Sequence, residues 1–303
     1  MKIDIICPLY NAEKYVLNLH KSLLMQKQVF INKIWYVLTE SEDNTKKLLD
    51  RLNIKYELIN KNDFSHSLTR EKYAKKSNAD IIVFITQDIV IEDDTWLQKL
   101  VKPIIDGKVE ATYSRQISKY NNLEKYIREY NYPSTSKVMK KSDIKKFGLK
   151  TFFFSDVSSA IRKNTFKKLN YYDGKDLPIS EDMYIAYKLI INGYKIKYCA
   201  NSIVYHSHKY KLIELYKRYR LTGYFFKCNS YLDNYGTTSS GKNLALYVLK
   251  RVFQDKKYFL LIRYPFDMMV RFIGMKVGKR WKIKKRLQFW WQLIMGKNIL
   301  INN

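Results

Sequence analysis

Cysteine is scarce. The 303 residues hold three, Cys7, Cys199 and Cys228, odd in number and far apart. That excludes a disulfide framework and a cysteine-based zinc cluster, and it fits a reducing compartment. Glycine (10) and proline (5) are few, while 46% of residues are hydrophobic, so the chain is neither low-complexity nor disordered. No run of about 18 apolar residues occurs, so no membrane-spanning helix is expected. The N-terminus, Lys2-Ile3-Asp4-Ile5-Ile6-Cys7-Pro8, reads as a strand rather than a leader, because Asp4 and Pro8 interrupt any signal-type apolar core. No G-x-G-x-x-G follows that strand, which leaves a dinucleotide fold of that kind unsupported.

Acid is missing from the second half. Residues 1–182 carry 32 Lys/Arg and 24 Asp/Glu, whereas residues 183–303 carry 24 Lys/Arg and only Glu214, Asp233, Asp255 and Asp267. Most of the formal charge of +28 therefore sits in the C-terminal part. Such asymmetry calls for an anionic partner surface, nucleic acid or anionic lipid. No helix-turn-helix, RNA-recognition or zinc motif is present, so nucleic acid is not expected as a partner. Lys276, Lys279, Arg280, Lys282, Lys284, Lys285 and Arg286 fall close together, and Phe289, Trp290, Trp291, Leu293, Ile294 and Met295 follow. Cations beside aromatics in a helical stretch have the composition of an interfacial helix on an anionic membrane; an amphipathic helix packed on its own domain is the plainer alternative.

What the first 110 residues do contain is alternation. Strand patterns at 3–7, 33–39, 55–59, 81–85 and 110–114 are separated by helical patterns near 12–25, 44–52, 67–77 and 93–106. This predicts an α/β fold with a mostly parallel sheet covered by helices. Residues 117–177 are less regular and aromatic-rich. A helix is expected over 183–191, opened by Ser180-Glu181-Asp182 and closed by Asn192-Gly193. Short strands are expected at 194–198 and 202–205, with mostly helix from 211 onward.

Three polar positions carry candidate chemistry. Ile81-Ile82-Val83-Phe84-Ile85 reads as a strand buried on both faces, and it ends at Thr86-Gln87-Asp88. A carboxylate there sits where open α/β sheets bind ligands, although Asp is also common at turns and caps. Glu181-Asp182 at a helix start suits either the helix dipole or acid–base chemistry. His206-Ser207-His208 follows a late strand, as a structural or a metal-binding pair. An Asp and a His from such distant segments suit Mg2+ or Mn2+ on a diphosphate.

These segments, in order, resemble the family 2 glycosyltransferases with the GT-A fold, and among them the bacterial rhamnosyltransferases of cell-wall and surface polysaccharide synthesis. The resemblance covers about residues 1–226. It runs through Ile6-Cys7-Pro8-Leu9-Tyr10-Asn11-Ala12-Glu13, Phe64-Ser65-His66-Ser67-Leu68-Thr69-Arg70, Thr86-Gln87-Asp88 and Tyr113-Ser114-Arg115-Gln116. It continues through Asn131-Tyr132-Pro133, Phe153-Phe154-Ser155-Asp156, Glu181-Asp182-Met183, His206-Ser207-His208-Lys209-Tyr210, Lys217-Arg218-Tyr219 and Gly223. Two segments depart from the pattern. Leu38-Thr39-Glu40-Ser41-Glu42-Asp43 replaces a Gly-Ser-x-Asp loop, and Asp156 stands where Asn is expected.

The resemblance implies a catalytic domain over 1–226, and the basic-aromatic composition beyond it predicts a helical, membrane-associating region over 227–303. It implies inverting transfer of a sugar, with dTDP-L-rhamnose as donor and a polyprenyl-diphosphate-linked glycan as acceptor, at the cytoplasmic face of the membrane. A UDP-sugar donor is the alternative. Asp182 is the implied base, with Glu181 its neighbour and substitute. Pro8, Tyr10, Asn11, Glu40, His66, Arg70, Gln87 and Asp88 are implied to bind the nucleotide sugar. Asp88, His206 and His208 would hold Mg2+ or Mn2+, and Arg115 and Asp156 would meet the acceptor.

Overall fold

The computed structural model describes residues 1–281. The first half runs β1 (Ile3–Leu9), α1 (Val16–Leu24), β2 (Ile31–Thr39), α2 (Thr45–Arg51), β3 (Tyr56–Ile59), α3 (His66–Lys76), β4 (Ile81–Ile85), α4 (Trp96–Ile105), β5 (Ala111–Ile117) and α5 (Leu123–Asn131). Then follow β6 (Lys137–Met139), α6 (Ile144–Phe147), β7 (Ser158–Arg162), α7 (Lys163–Lys168), α8 (Glu181–Ile191), β8 (Ile196–Tyr205), α9 (Leu212–Cys228), α10 (Thr237–Gln254) and α11 (Phe259–Arg280). The strands form one sheet in the order β3-β2-β1-β4-β7-β5-β8-β6.

The expected strand at 81–85 is the centre of this sheet. Ile81, Val83 and Ile85 face a core shared with Trp96, Leu97 and Leu100 of α4; Ile82 and Phe84 face another, with Tyr73 of α3, Phe166 of α7 and Tyr184 of α8. Burial on both faces explains the unbroken apolar run. The chain winds from β1 to β2 and β3 on one side, then returns to place β4 on the other side of β1. The strand order reverses there, and in open α/β sheets the ligand crevice lies at such a point, beyond the carboxyl ends of the two strands, here β1 and β4.

The middle of the sheet differs from expectation. β7 (Ser158-Ser159-Ala160-Ile161-Arg162) runs antiparallel between β4 and β5, and β6 antiparallel to β8, so the mostly parallel sheet is mixed. Three small residues in five gave β7 no strand signature. The two strands expected at 194–198 and 202–205 are one, β8, whose pairing with β5 jumps from Ser114↔Cys199 to Arg115↔Ile203. Side-chain phase shifts there: Tyr113 packs on Tyr132, Ser114 bonds Trp96 of α4, and Gln116 is turned back to Tyr132. Irregularities of this kind re-aim side chains beside functional sites.

The C-terminal helices pack on α5 and α9. Val248 and Val252 of α10 and Leu260 of α11 share a small core with Leu123, Tyr126 and Ile127 of α5. α11 crosses α9 at glycine distance: a Cβ on Gly278 would lie 2.0 Å from the Arg220 carbonyl oxygen, and one on Gly223 2.2 Å from that of Met275. The opposite face of α11 exposes Phe259, Ile262 (75% exposed), Phe266, Met269 and Ile273, at spacings of three and four that align on one side. Lys276, Lys279 and Arg280 close this helix. The remaining cations and the aromatic stretch 289–295 lie outside the described residues, among which no helix is long and apolar enough to cross a membrane.

The glycine crossing gives a stability prediction. Gly278→Ala forces backbone apart and is expected to cost about 1–3 kcal/mol. Gly241→Ala, in α10 with nothing within 4 Å of the added Cβ, should leave stability unchanged or raise it by up to about 1 kcal/mol. Thermal denaturation of the two variants measures the contrast.

Candidate active site

The β1 end of the crevice is braced from β4. The Gln87 amide closes a two-bond clamp on the Tyr10 backbone, accepting from its N–H at 2.7 Å and donating to its carbonyl at 2.8 Å. Asn11 sits in the left-handed region (φ +47°), which its short side chain tolerates. Its N–H donates to Ser41 Oγ, and its Oδ1 accepts from the Glu42 N–H. Glu40 is exposed at the end of β2 and accepts from the Lys61 N–H at 3.3 Å. Lys61 Nζ hangs 5.7 Å from the Tyr10 ring. Pro8, Tyr10, Asn11 and Glu40 thus share one edge of the crevice, and Gln87 is a brace beneath it.

Asp88, just past β4, meets the end of β8. Its Oδ2 lies 3.3 Å from His206 Nε2 and 3.8 Å from His208 Nε2, and one ligand atom from each of the three residues falls within 4.8 Å of the others. Gln116 sets the His206 tautomer. Its Nε2 donates to Tyr132 Oη at 2.6 Å and Ser155 Oγ at 2.9 Å, so its Oε1 must accept, from Arg128 and from His206 Nδ1 at 3.0 Å. With the proton on Nδ1, the neutral His206 turns a lone pair on Nε2 toward the Asp88 carboxylate. Burial opposes ionisation of Asp88, but the adjacent histidines hold its carboxyl well below the usual range. Burial also drives His206 down, and drives His208 to about 3 with help from His206. Among the described residues the ionised carboxylate faces two imidazoles that burial keeps neutral, and a shared cation would balance it. Two imidazole nitrogens and one carboxylate oxygen are a donor set that divalent ions accept.

A second cluster lies at the start of α8. The segment before it is pinned to α3: Ser65 Oγ donates to Asp176, Ser67 Oγ to the Lys175 carbonyl, and Glu71 Oε2 accepts from the N–H groups of Tyr172 and Gly174. Ser180 then adopts φ +61°, costly for a non-glycine residue, and turns the chain into α8. Gly193, at φ +84°, ends the helix as its sequence predicts. The result brings Glu181 onto Arg70, at 2.9 Å, with both buried (7% and 1% exposed) and His66 Nδ1 3.6 Å from the same oxygen. Asp182, the next residue, keeps partial exposure, with its Oδ1 accepting from the Met183 N–H. Burial, then the charges of Glu181 and Asp156, raise the Asp182 carboxyl well above its ordinary 3.8; burial raises Glu181 too, against Arg70.

Arg218 of α9 joins the two clusters. It is exposed, yet it acts electrostatically on Asp182 and on His66, His206 and His208. Asp156 lies beneath, 2% exposed, with its oxygens taken by Ser159 and Tyr172. Arg115 is half-buried on β5. Sequence reasoning did not single out Gln116 or Arg128; a buried polar side chain in the middle of a strand was the available signal.

The sequence profile described as glycosyl transferase family 2 matches residues 4–169. The chain is 33% identical over 293 residues to an O-antigen chain rhamnosyltransferase of Salmonella typhimurium, covering 93% of this chain and 91% of that one. It is 29% identical over 288 residues to an O-antigen chain rhamnosyltransferase of Salmonella anatum, covering 92% and 89%. Among solved structures it resembles a mannosyltransferase of Pyrobaculum calidifontis in complex with GDP-Man and Mn2+ (TM-score 0.63, 13% identity, 92% of this chain and 87% of that one). It also resembles Staphylococcus aureus TarS in complex with UDP-GlcNAc (TM-score 0.53, 18% identity, 74% and 66%). At these identities the structures speak for the fold.

The raised Asp182 carboxyl has a thermodynamic signature. A carboxyl with a folded pKa above its unfolded value favours folding below the unfolded value, and this contribution is lost as pH rises through the folded pKa. Stability should therefore fall as pH climbs from 3.8 through the raised value of Asp182. Asp182→Asn keeps the acceptor oxygen for Met183 and removes the charge. It is expected to melt higher than the wild type at pH 7 and to flatten this slope, measured by thermal melts across pH.

Proposed function

The chain belongs to the family 2 glycosyltransferases, and from that premise we propose that it transfers L-rhamnose from dTDP-L-rhamnose, with inversion, to a lipid-linked glycan during surface polysaccharide assembly. The observation that carries the chemistry is the Asp88–His206–His208 triad together with Asp182, both within the electrostatic reach of Arg218. The rhamnosyl group and the polysaccharide are supported by the two Salmonella relatives.

In the proposed reaction an acceptor hydroxyl oxygen bonds to C1 of the sugar while the bond from C1 to the diphosphate oxygen breaks. Asp182 takes the hydroxyl proton. Its partial exposure leaves it accessible, and its raised carboxyl makes it a stronger proton acceptor than an ordinary aspartate. Glu181, buried on Arg70, does not reach the acceptor; with His66 it holds the turn that carries Asp182. Pro8, Tyr10, Asn11 and Glu40 line the nucleotide side, and Gln87 keeps Tyr10 in place. Mg2+ or Mn2+ held by Asp88, His206 and His208 would supply positive charge to the diphosphate. With one carboxylate in the set, the ion binds tightly only when the donor adds its own oxygens. Arg218 and Arg128 add fixed positive charge on the same side. Arg115 faces the acceptor, while Asp156 acts from below by holding Tyr172.

Residues 1–226 are the proposed catalytic domain and 227–303 the membrane-associating region, peripheral at the cytoplasmic face. The exposed apolar side of α11 and the cations at its end support an anionic lipid surface as partner.

Three results are expected. In a screen of dTDP-, UDP- and GDP-sugars, the dTDP-rhamnose donor should be consumed fastest, and preferred turnover of a UDP-sugar would overturn the donor assignment. Asp182→Asn should lose transfer by about 10²–10⁴-fold with nucleotide affinity retained. Excess chelator should abolish activity, and Mn2+ or Mg2+ should restore it. For the membrane surface, an Ile262→Glu/Phe266→Glu variant should stop sedimenting with vesicles containing phosphatidylglycerol; unchanged sedimentation would place the contact elsewhere.

A further inference from the structure

A cavity of about 690 Å³ lies beside the triad, outside the crevice edge that lines the nucleotide side. Its walls come from the loop before α5, the stretch between β8 and α9, and the start of α11. Four cations line it: Lys119, Lys209, Lys211 and Arg263. Two acids line it as well, Glu124 and Asp267, and both hold the buried Arg271. Asp267 also stands 4.0 Å from Arg263, so the two carboxylates are shared between Arg271 and Arg263, and Lys119, Lys209 and Lys211 are the excess positive charge. Lys119 touches Glu92 at 3.1 Å in an exposed pair, which binds weakly. A volume of this size suits a small ligand, and the three lysines repel one another until an anion joins them.

The position of the cavity narrows the anion. Tyr210 lines it, and the Tyr210 ring stands 4.9 Å from that of His208, whose Nε2 is 3.8 Å from Asp88. The Asn122 amide donates to the His208 carbonyl at 3.2 Å, so the cavity wall and the triad share one stretch of backbone. At the other end Phe259 lines the cavity, and from it the exposed apolar row of Ile262, Phe266 and Met269 leads away along α11. A cationic cavity that opens onto an apolar path fits a ligand with an anionic head and a hydrocarbon tail.

We propose that this cavity binds the diphosphate joining the acceptor glycan to its lipid, with the lipid chain leaving along the apolar face of α11. The inference rests on the lipid-linked acceptor of the preceding section. It adds where that acceptor is held: the donor diphosphate on the Asp88 side, the acceptor diphosphate on the Lys209–Lys211 side, and the sugars between.

Farnesyl diphosphate is a suitable probe, titrated onto the full chain with the donor side filled by the nucleoside diphosphate that the donor screen selects. The wild type should bind it. A Lys209→Ala/Lys211→Ala variant should bind it about tenfold or more weakly, and Lys209→Arg/Lys211→Arg should recover most of the affinity. Nucleotide affinity and melting temperature serve as folding controls. Equal binding by the wild type and the alanine variant overturns the proposal, as does no binding by a wild type that hydrolyses its donor. Competition by inorganic pyrophosphate as strong as by farnesyl diphosphate would assign the cavity to free phosphate and overturn the lipid assignment. A wild type that hydrolyses no nucleotide sugar refutes the transferase reading itself, a separate result.

Discussion

A buried ion pair, Arg70 with Glu181, governs the layout of the site. Taking both charges out of water is unfavourable, and their attraction offsets this only with good geometry and further hydrogen bonds. The protein meets that condition by tying the segment before α8 to α3 through Ser65, Ser67 and Glu71. A constraint 111 residues apart in sequence thus fixes where α8 begins. Asp182 follows directly, and its environment is inherited: partial burial and the charges of Glu181 and Asp156. The energetic strain of the first turn and the chemical usefulness of Asp182 have the same origin.

The triad is organised by the opposite principle. Asp88 is ionised and its two histidines are neutral, with the Thr86 side chain as a further support of the carboxylate. Gln116 makes this arrangement definite, because its own amide is oriented by Tyr132, Ser155 and Arg128 before it reaches His206. The phase shift in the β5–β8 pairing aims Gln116 at that histidine. One irregularity in a strand therefore decides which imidazole nitrogen faces the crevice.

Much of this was legible in the sequence. The apolar run at 81–85 announced a central strand because both of its faces are buried, and Ser180 to Gly193 announced α8 by its acids and its terminal glycine. The triad could be anticipated as distant segments of a familiar order. What stayed hidden depends on tertiary contact. β7 has small residues because it is squeezed antiparallel between β4 and β5, and no periodicity encodes that. Gln87 reads as a ligand position beside Asp88, and its clamp on the Tyr10 backbone is a tertiary contact that no local pattern announces. Glu181 and Asp182 are adjacent and chemically alike; only packing against Arg70 separates the buried carboxylate from the partly exposed one.

The glycine contact between α9 and α11 has a mechanical meaning. Where two helices meet backbone to backbone, there are no side-chain rotamers between them to absorb a tilt. α9 begins four residues after His208 and carries Arg218, so it is coupled to both clusters. α11, on its far side, presents the apolar row to the surroundings. A surface that bound this row would therefore act on α9, and through it on Arg218, with little side-chain give between the two helices.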